Sequence, residues 1–246
     1  EIAEYAEVVK RVALYRDGEP LLDKTLAAKV AMLKDMGVKK VGISTNAELL
    51  TPSKSKDLLD AGIDEVLLSV DSLVPSVYEA IRVNCSFDTV MSNCLKFIEL
   101  RDQKKSDCQV WTRMIRQESN KTEWPAYEEF WRAHLRDTDR VDYRNLHGWG
   151  GQLINFKPLA GVQTEKPCIA LWSLMVIFAN GDVPLCNVDY NNRHPLGNVR
   201  DQKIGSLWQS VEQQRRRHLH INNRRDEIDM CGGCTVWSEE AMAKAA

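Results

Sequence analysis

The chain has 246 residues, 43% hydrophobic and 28% charged, which is ordinary globular composition. Its 33 Lys and Arg against 35 Asp and Glu give a net charge of −2, which excludes the basic field a nucleic-acid partner requires. No apolar run reaches the length of a membrane span and no signal peptide opens the chain, so neither a membrane nor a secretory destination is expected. The length suits one large domain or a domain with an appendage. Seven unevenly spread cysteines, an odd number, favour a cytoplasmic protein with reduced thiols over a secreted disulfide scaffold. The first residue is Glu1, and "EIAEYAEVVKRV" reads as a helix already under way, so the chain is expected to be a fragment or a trimmed product.

From residue 12 to about 146, short apolar runs alternate with helical stretches. "VALY" (12–15) reads as a buried strand. The helix "DKTLAAKVAMLKDMG" follows, with Leu26, Val30, Leu33 and Met36 on one face, Asp23 as its N-cap and Gly37 as its stop. "VKKVGIST" is the next strand, and Thr51-Pro52 opens a helix that Gly62 ends. "DEVLLSV" (64–70), "CQVWTRMI" (108–115) and "RVDYRNL" (140–146) complete five strands. Between them lie the helices "FDTVMSNCLKFIEL" and "EWPAYEEFWRAHL". Continuous apolar strands alternating with amphipathic helices argue for parallel β/α units, whose chemistry sits in the loops at the strands' C-terminal ends. Those loops are "RDGEPLL", "STNAELL", "SVDS", "TRMIRQE" and "NLHGWGGQL".

The second region starts near residue 160. "SLMVIFANGDVPLC" reads as a hairpin turning at Asn180-Gly181-Asp182. "KIGSLWQSVEQQRRRH" reads as one amphipathic helix with Ile204, Leu207, Trp208 and Val211 on its apolar face. The basic run "QQRRRH" (213–218) reads as a solvated helix face. The region holds Cys168, Cys186 and the close pair Cys231 and Cys234. Four thiolates suit a zinc ion or an iron–sulfur cluster. A zinc ribbon would supply two C-x2-C knuckles and only one is present, which favours iron–sulfur; buried thiols or a redox pair are the bland alternative. Cys85, Cys94 and Cys108 read as small hydrophobes.

Several of these stretches, in this order, resemble radical S-adenosylmethionine (SAM) enzymes. "RDGEPLL" resembles their GGEP motif and "ISTNAELL" their next strand end. "LLSVDSLVPSVYEAIRVNCSFDTVMSNC" resembles the strand and helix that follow, and "PCIALWSLMVIFANGDVPLC…LGNVRDQKIGSLWQS…CGGC" resembles a C-terminal SPASM or twitch domain. The resemblance implies a partial (β/α)6 barrel, N-terminally incomplete, over residues 1–155, and a small α+β SPASM/twitch domain over 156–246. It implies SAM cleaved reductively at a [4Fe–4S] cluster to a 5′-deoxyadenosyl radical that abstracts hydrogen from substrate. Gly18, Glu19 and Pro20 would then line the SAM methionine, with Glu19 accepting from its ammonium. Ser44, Thr45, Asn46, Ser69 and Asp71 would contact SAM at neighbouring strand ends. Arg113, or its neighbour Arg116, would pair with the SAM carboxylate, against the alternative that Arg113 is a salt-bridged barrel residue. The family's C-x3-C-x2-C segment would precede Glu1, so the SAM-cleaving cluster is expected upstream and the chain as given is not expected to cleave SAM. Cys168, Cys186, Cys231 and Cys234 would hold one auxiliary [4Fe–4S] cluster, as in the shorter twitch type and with spacing like that of dehydrogenases acting on aminocyclitols.

On the substrate side, Arg144, His147 and Trp149 of "YRNLHGWGG" follow the last strand and suit a polar substrate, against the alternative of a structured loop between domains. Asp189, three residues past Cys186, is a candidate general base. Three readings follow. The first is oxidation or rearrangement of a small polar molecule such as a sugar or cyclitol, with electrons handled by the auxiliary cluster and supplied by a donor such as flavodoxin or ferredoxin. The second is modification of a peptide or protein. The third, of another class, is a non-catalytic metal-binding module on a degenerate barrel.

Overall fold

The structure, a computed structural model, describes residues 1–153, 167–234 and 236. Contacts divide the chain into Glu1–Arg144 and Asn145–Ala246. The boundary expected at 155/156 lies outside the described residues.

The first unit is built on a sheet of β1 (Val12–Ala13), β2 (Val41–Thr45), β3 (Glu65–Ser69), β4 (Gln109–Arg116) and β5 (Arg140–Asn145), adjacent in chain order. β1, β2, β3 and β4 pair in parallel. The connections carry α1 (Leu26–Asp35), α2 (Pro52–Asp60), α3 (Pro75–Ile81), α4 (Phe87–Gln103) and α5 (Trp124–Arg132). All five expected strands are present, as the alternation of apolar runs and helices implied, but β1 covers only Val12–Ala13 and neither residue is buried, unlike the buried strand expected over 12–15. The period of two in β4 buries Val110, Thr112 and Met114 and leaves Trp111, Arg113 and Ile115 on the other face. Register extends this division across the sheet: Ile43, Val66 and Val110 are aligned on the helix-covered side. There they join Val30, Leu58, Phe97, Tyr127 and Trp131 in one core. On the opposite face Ser44, Leu67 and Trp111 share one level, and Ser69 and Arg113 the next.

Local signals explain most boundaries. Thr51 accepts from the Lys54 amide and Pro52 occupies the first turn of α2. Gly37 ends α1 at φ +84°, where the Val38 amide returns to the Leu33 carbonyl. Two expectations are corrected. Thr25, not Asp23, is the N-cap of α1; Asp23 sits earlier, accepting from the Thr25 amide and hydroxyl and pairing with Lys29. The short α3, opened by Val74-Pro75, was not anticipated, because seven residues carry too little periodicity to separate it from the longer α4.

The second unit contains α6 (Ala170–Ser173), the antiparallel pair β6 (Asp182–Val183) and β7 (Gly197–Asn198), α7 (Ile204–Trp208), α8 (Val211–Ile221) and α9 (Asp229–Gly232). The turn at Asn180–Asp182 is present, with the Gly181 amide donating to the Phe178 carbonyl. The strand partner differs from expectation: the ladder of β6 is with β7, and the residues before the turn meet β6 through the Phe178 amide, which donates to the Asp182 carbonyl. The single helix expected over 203–218 is two helices. Ser210 breaks it, because its hydroxyl accepts from the Gln213 amide and caps α8. Val211 accordingly leaves the apolar face and is exposed. The "QQRRRH" run is a solvated face only in part: Gln214, Arg215 and His218 are exposed, but Gln213, Arg216 and Arg217 are buried. Gln213 and Arg217 donate to the Leu171 carbonyl, and Arg216 donates to the carbonyls of His194 and Pro195. Among the described residues, no helix is long and apolar enough to cross a membrane.

Candidate metal centre and cofactor face

Cys168, Cys186, Cys231 and Cys234 line a single cavity. The segments that bring them there are fixed by the backbone. Cys168 immediately precedes α6, and its amide donates to His220 Nδ1 on α8 at 3.2 Å. Cys186 follows β6 in a loop gathered by Asp189, whose buried carboxylate accepts from the amides of Leu185, Arg193 and His194. Asp189 thus has a structural task, and its oxygens are engaged rather than presented as a base. Cys231 lies in α9, and Arg225 donates from Nε to its carbonyl at 3.0 Å and from Nη2 to that of Cys234 at 3.4 Å.

All seven cysteines are free. Burial raises the thiol pKa of Cys168 and Cys234, takes Cys186 to about 11, and raises Cys231 further, with neighbouring thiols adding to the effect for Cys186 and Cys231. Without a cation these are neutral thiols; loading the site must expel protons. Among the described residues no three His, Cys, Asp or Glu side chains converge closely enough for a single metal ion. Four cysteines lining one cavity are a donor set that suits an iron–sulfur cluster. The rest of the lining suits an anionic cluster: apolar Leu171, Leu185, Val188 and Met230, with the Arg225 cation and the His220 ring. Sequence reasoning missed Arg225 and His220. Neither stands in a motif, and His220 meets Cys168 across 52 positions.

The first unit gathers most of the expected SAM-contacting residues at the C-terminal ends of its strands. Glu19 is the organiser. Oε1 accepts from the Thr45 hydroxyl at 2.7 Å and the Leu21 amide at 2.9 Å, and Oε2 accepts from the Asn46 amide at 2.9 Å. The GEP loop is thereby fastened to the end of β2. Ser44 and Ser69 face each other with hydroxyl oxygens 3.1 Å apart. Gly18 is exposed, with nothing within 4 Å of a Cβ added there. Asp71 is turned inward, accepting from Arg82 Nε at 2.6 Å and the Ile115 amide at 2.7 Å. Arg113 makes a two-pronged pair with Asp142 at 2.6 and 2.7 Å, so the salt-bridge alternative describes its side chain here. Arg116 lies over the Tyr143 ring at 4.3 Å. The three cysteines of this unit form no cluster; burial raises the thiols of Cys94 and Cys108, the latter to about 12.

Of the three residues expected on the substrate side, Arg144 falls in the first unit and His147 and Trp149 in the second. The His147 and Trp149 rings lie 4.8 Å apart, and the Trp149 amide donates to His147 Nδ1. Trp149 packs edge-on against Tyr190 and joins the apolar cluster around Cys231.

The family model of the radical SAM superfamily matches residues 1–112, and that of SPASM, an iron–sulfur cluster-binding domain, matches residues 168–235. A protein of Treponema pallidum (strain Nichols), described as uncharacterized, is 28% identical over 130 residues, 51% of this chain and 33% of that protein. A "Probable GTP 3',8-cyclase" of Methanococcus maripaludis (strain C5 / ATCC BAA-1333) is 37% identical over 83 residues, 34% of this chain and 28% of the relative. The chain thus spans a third or less of these curated relatives. Among solved structures, BtrN in complex with AdoMet and 2-DOIA superimposes with a TM-score of 0.62 at 20% identity, covering 95% of this chain and 76% of BtrN. Histidine-tagged anSMEcpe with bound AdoMet gives 0.61 at 14% identity, over 91% of this chain and 71% of that one. Streptococcus suis SuiB bound to precursor peptide SuiA gives 0.54 at 14% identity, over 82% and 54%. These structural likenesses extend to the fold. With the two family matches in sequence order, the chain belongs to the radical SAM superfamily and carries a C-terminal SPASM domain.

Proposed function

We propose that this chain is the body of a radical SAM oxidoreductase acting on a small polar molecule, with one auxiliary [4Fe–4S] cluster held by Cys168, Cys186, Cys231 and Cys234. The observation that carries the reading is the convergence of these four cysteines on one cavity whose other walls are apolar or cationic. When bound with a reduced [4Fe–4S] cluster, SAM supplies a 5′-deoxyadenosyl radical able to abstract hydrogen. The chain's own residues do the positioning. Glu19 fixes the GEP loop to Thr45 and Asn46, leaving Gly18 open for close approach to the SAM methionine. Ser44 and Ser69 offer hydroxyls on the same face. Asp142 holds the Arg113 guanidinium in a fixed plane on that face, as a planar group that would pair with the SAM carboxylate. Cys168, Cys186, Cys231 and Cys234 would hold the auxiliary cluster among the apolar side chains of the cavity, where it would supply an electron-accepting centre, with reducing equivalents from a donor of the flavodoxin or ferredoxin kind. The place of action is the cytoplasm.

Two considerations support a small polar substrate such as a sugar or cyclitol. The second unit has four cysteines, enough for one fully ligated cluster and no second one. The fold likeness to BtrN, crystallised with 2-DOIA, covers nearly the whole chain. The likeness to SuiB with its peptide keeps peptide modification as a second reading.

The test uses the full-length protein, reduced anaerobically with SAM and candidate substrates. Formation of 5′-deoxyadenosine, with deuterium arriving in it from a labelled polyol or cyclitol, is the expected result. A Cys234→Ala variant should still cleave SAM but fail to release oxidised product. Intact SAM under all conditions would contradict the enzyme reading; deuterium transfer from peptides alone would favour the second.

A further inference from the structure

The α8 histidine at the cavity wall has a nitrogen that nothing else explains. His220 is 1% exposed and lines the cavity with the four cysteines. Its Nδ1 accepts the Cys168 amide proton at 3.2 Å. An imidazole nitrogen that accepts carries no proton, so the proton of the neutral ring sits on Nε2. That Nε2 is buried and has no hydrogen-bond partner among the described residues. A buried N–H left unpaired costs about 1–3 kcal/mol, which native structures seldom tolerate without a reason. The neighbouring lining offers no oxygen acceptor from its apolar side chains, but the sulfurs of a ligated cluster are acceptors.

We propose that His220 is a positioning residue for the auxiliary cluster: its Nε2–H donates a hydrogen bond to a sulfur of the cluster or of a ligating cysteine and thereby raises the cluster's reduction potential. The inference rests on the reading that the four cysteines hold an iron–sulfur cluster. The direction follows from charge. Reduction adds an electron to the iron–sulfur core, so a donor to sulfur stabilises the reduced form more than the oxidised one. The same ring also holds the Cys168 amide through Nδ1, so one side chain fixes a ligand's backbone and faces the cluster with its other edge.

The experiment is a redox titration of the anaerobically reconstituted chain, followed by electron paramagnetic resonance, in wild type, His220→Leu and His220→Gln. With iron content unchanged, His220→Leu should lower the potential by an amount equal to about a tenfold change in the reduction equilibrium, ~59 mV for one electron. His220→Gln, which keeps an N–H, should fall less. An unchanged potential in fully loaded His220→Leu overturns the proposal. If His220→Leu fails to hold the cluster, wild type with ¹⁵N-labelled histidine decides. A weak nitrogen coupling to the reduced cluster, lost in equally labelled His220→Gln, supports the hydrogen bond, and its absence in wild type overturns it. A wild-type chain that binds no iron overturns the underlying four-cysteine reading together with this one, and is recognised before any titration.

Discussion

Arg225 donates from Nε to the carbonyl of Cys231 at 3.0 Å, clamping the C-x2-C turn from the preceding segment. Its Nη2 reaches the Cys234 carbonyl as well. The two contacts hold both close-spaced thiols on one wall before any ligand arrives, and they put a cation beside the cluster site.

Replacing Arg225 tests that clamp. Arg225→Leu should destabilise the second unit by about 1.5–3 kcal/mol, the range for hydrogen bonds to charged groups. Arg225→Lys should restore little, because a point ammonium cannot span two carbonyls as a planar guanidinium does. Urea unfolding of the unloaded variants reads the difference; equal midpoints for all three proteins would refute the clamp.

The Glu19 carboxylate carries a comparable load in the first unit. In Glu19→Gln one oxygen can still face Thr45 and Leu21, but the amide nitrogen then opposes the Asn46 N–H. Two donors face to face should cost about 1–3 kcal/mol in unfolding free energy. The end of β2 should loosen, and hydrogen exchange at the Asn46 amide should rise.

Two glycines separate a binding role from a folding one. Gly150 has φ +62°, and a Cβ there would sit 2.9 Å from the Met230 carbonyl oxygen, so Gly150→Ala should destabilise by about 1–3 kcal/mol. Gly18 meets nothing within 4 Å, so Gly18→Ala should leave stability within about 0.5 kcal/mol. If Gly18 serves the SAM methionine, that silent change should still weaken SAM binding in the full-length protein, read as a higher KM for SAM.

The first unit was legible where local chemistry sets structure. Its five strands follow from apolar runs, and α2 follows from Thr51-Pro52 and its glycine stop. What escaped was decided by partners distant in sequence. Asp71 looked like a strand-end cofactor contact, yet its carboxylate is taken by Arg82 and by the Ile115 amide, 44 positions away. Residues 213–218 looked solvated throughout because composition counts charge and cannot show the Leu171, His194 and Pro195 carbonyls that bury part of it. The four cysteines could be picked out by type and spacing. Arg225 and His220 could not, because nothing local distinguishes a buried Arg or His from an exposed one.

His147 sets a pH dependence with a definite sign. Burial lowers its pKa below the usual 6.5, and its Nδ1 accepts from the Trp149 amide. Below pH 6.5 the unfolded chain therefore binds a proton that the folded chain refuses. Stability contributed by neutral His147 is present above pH 6.5 and declines as pH falls toward the folded pKa. The urea midpoint of the unloaded chain should be lower at about pH 5.5 than at about pH 7.5, and His147→Gln should flatten part of that slope. An identical slope in the variant would remove His147 from the explanation.

The most direct test of the central claim is the iron and acid-labile sulfide content of the anaerobically purified chain, measured beside Cys168→Ala and Cys186→Ala. A brown protein with about four irons and four sulfides per chain, lost in both variants, is the predicted result. A colourless protein carrying one zinc, or one whose iron survives removal of Cys168 and Cys186, would contradict it.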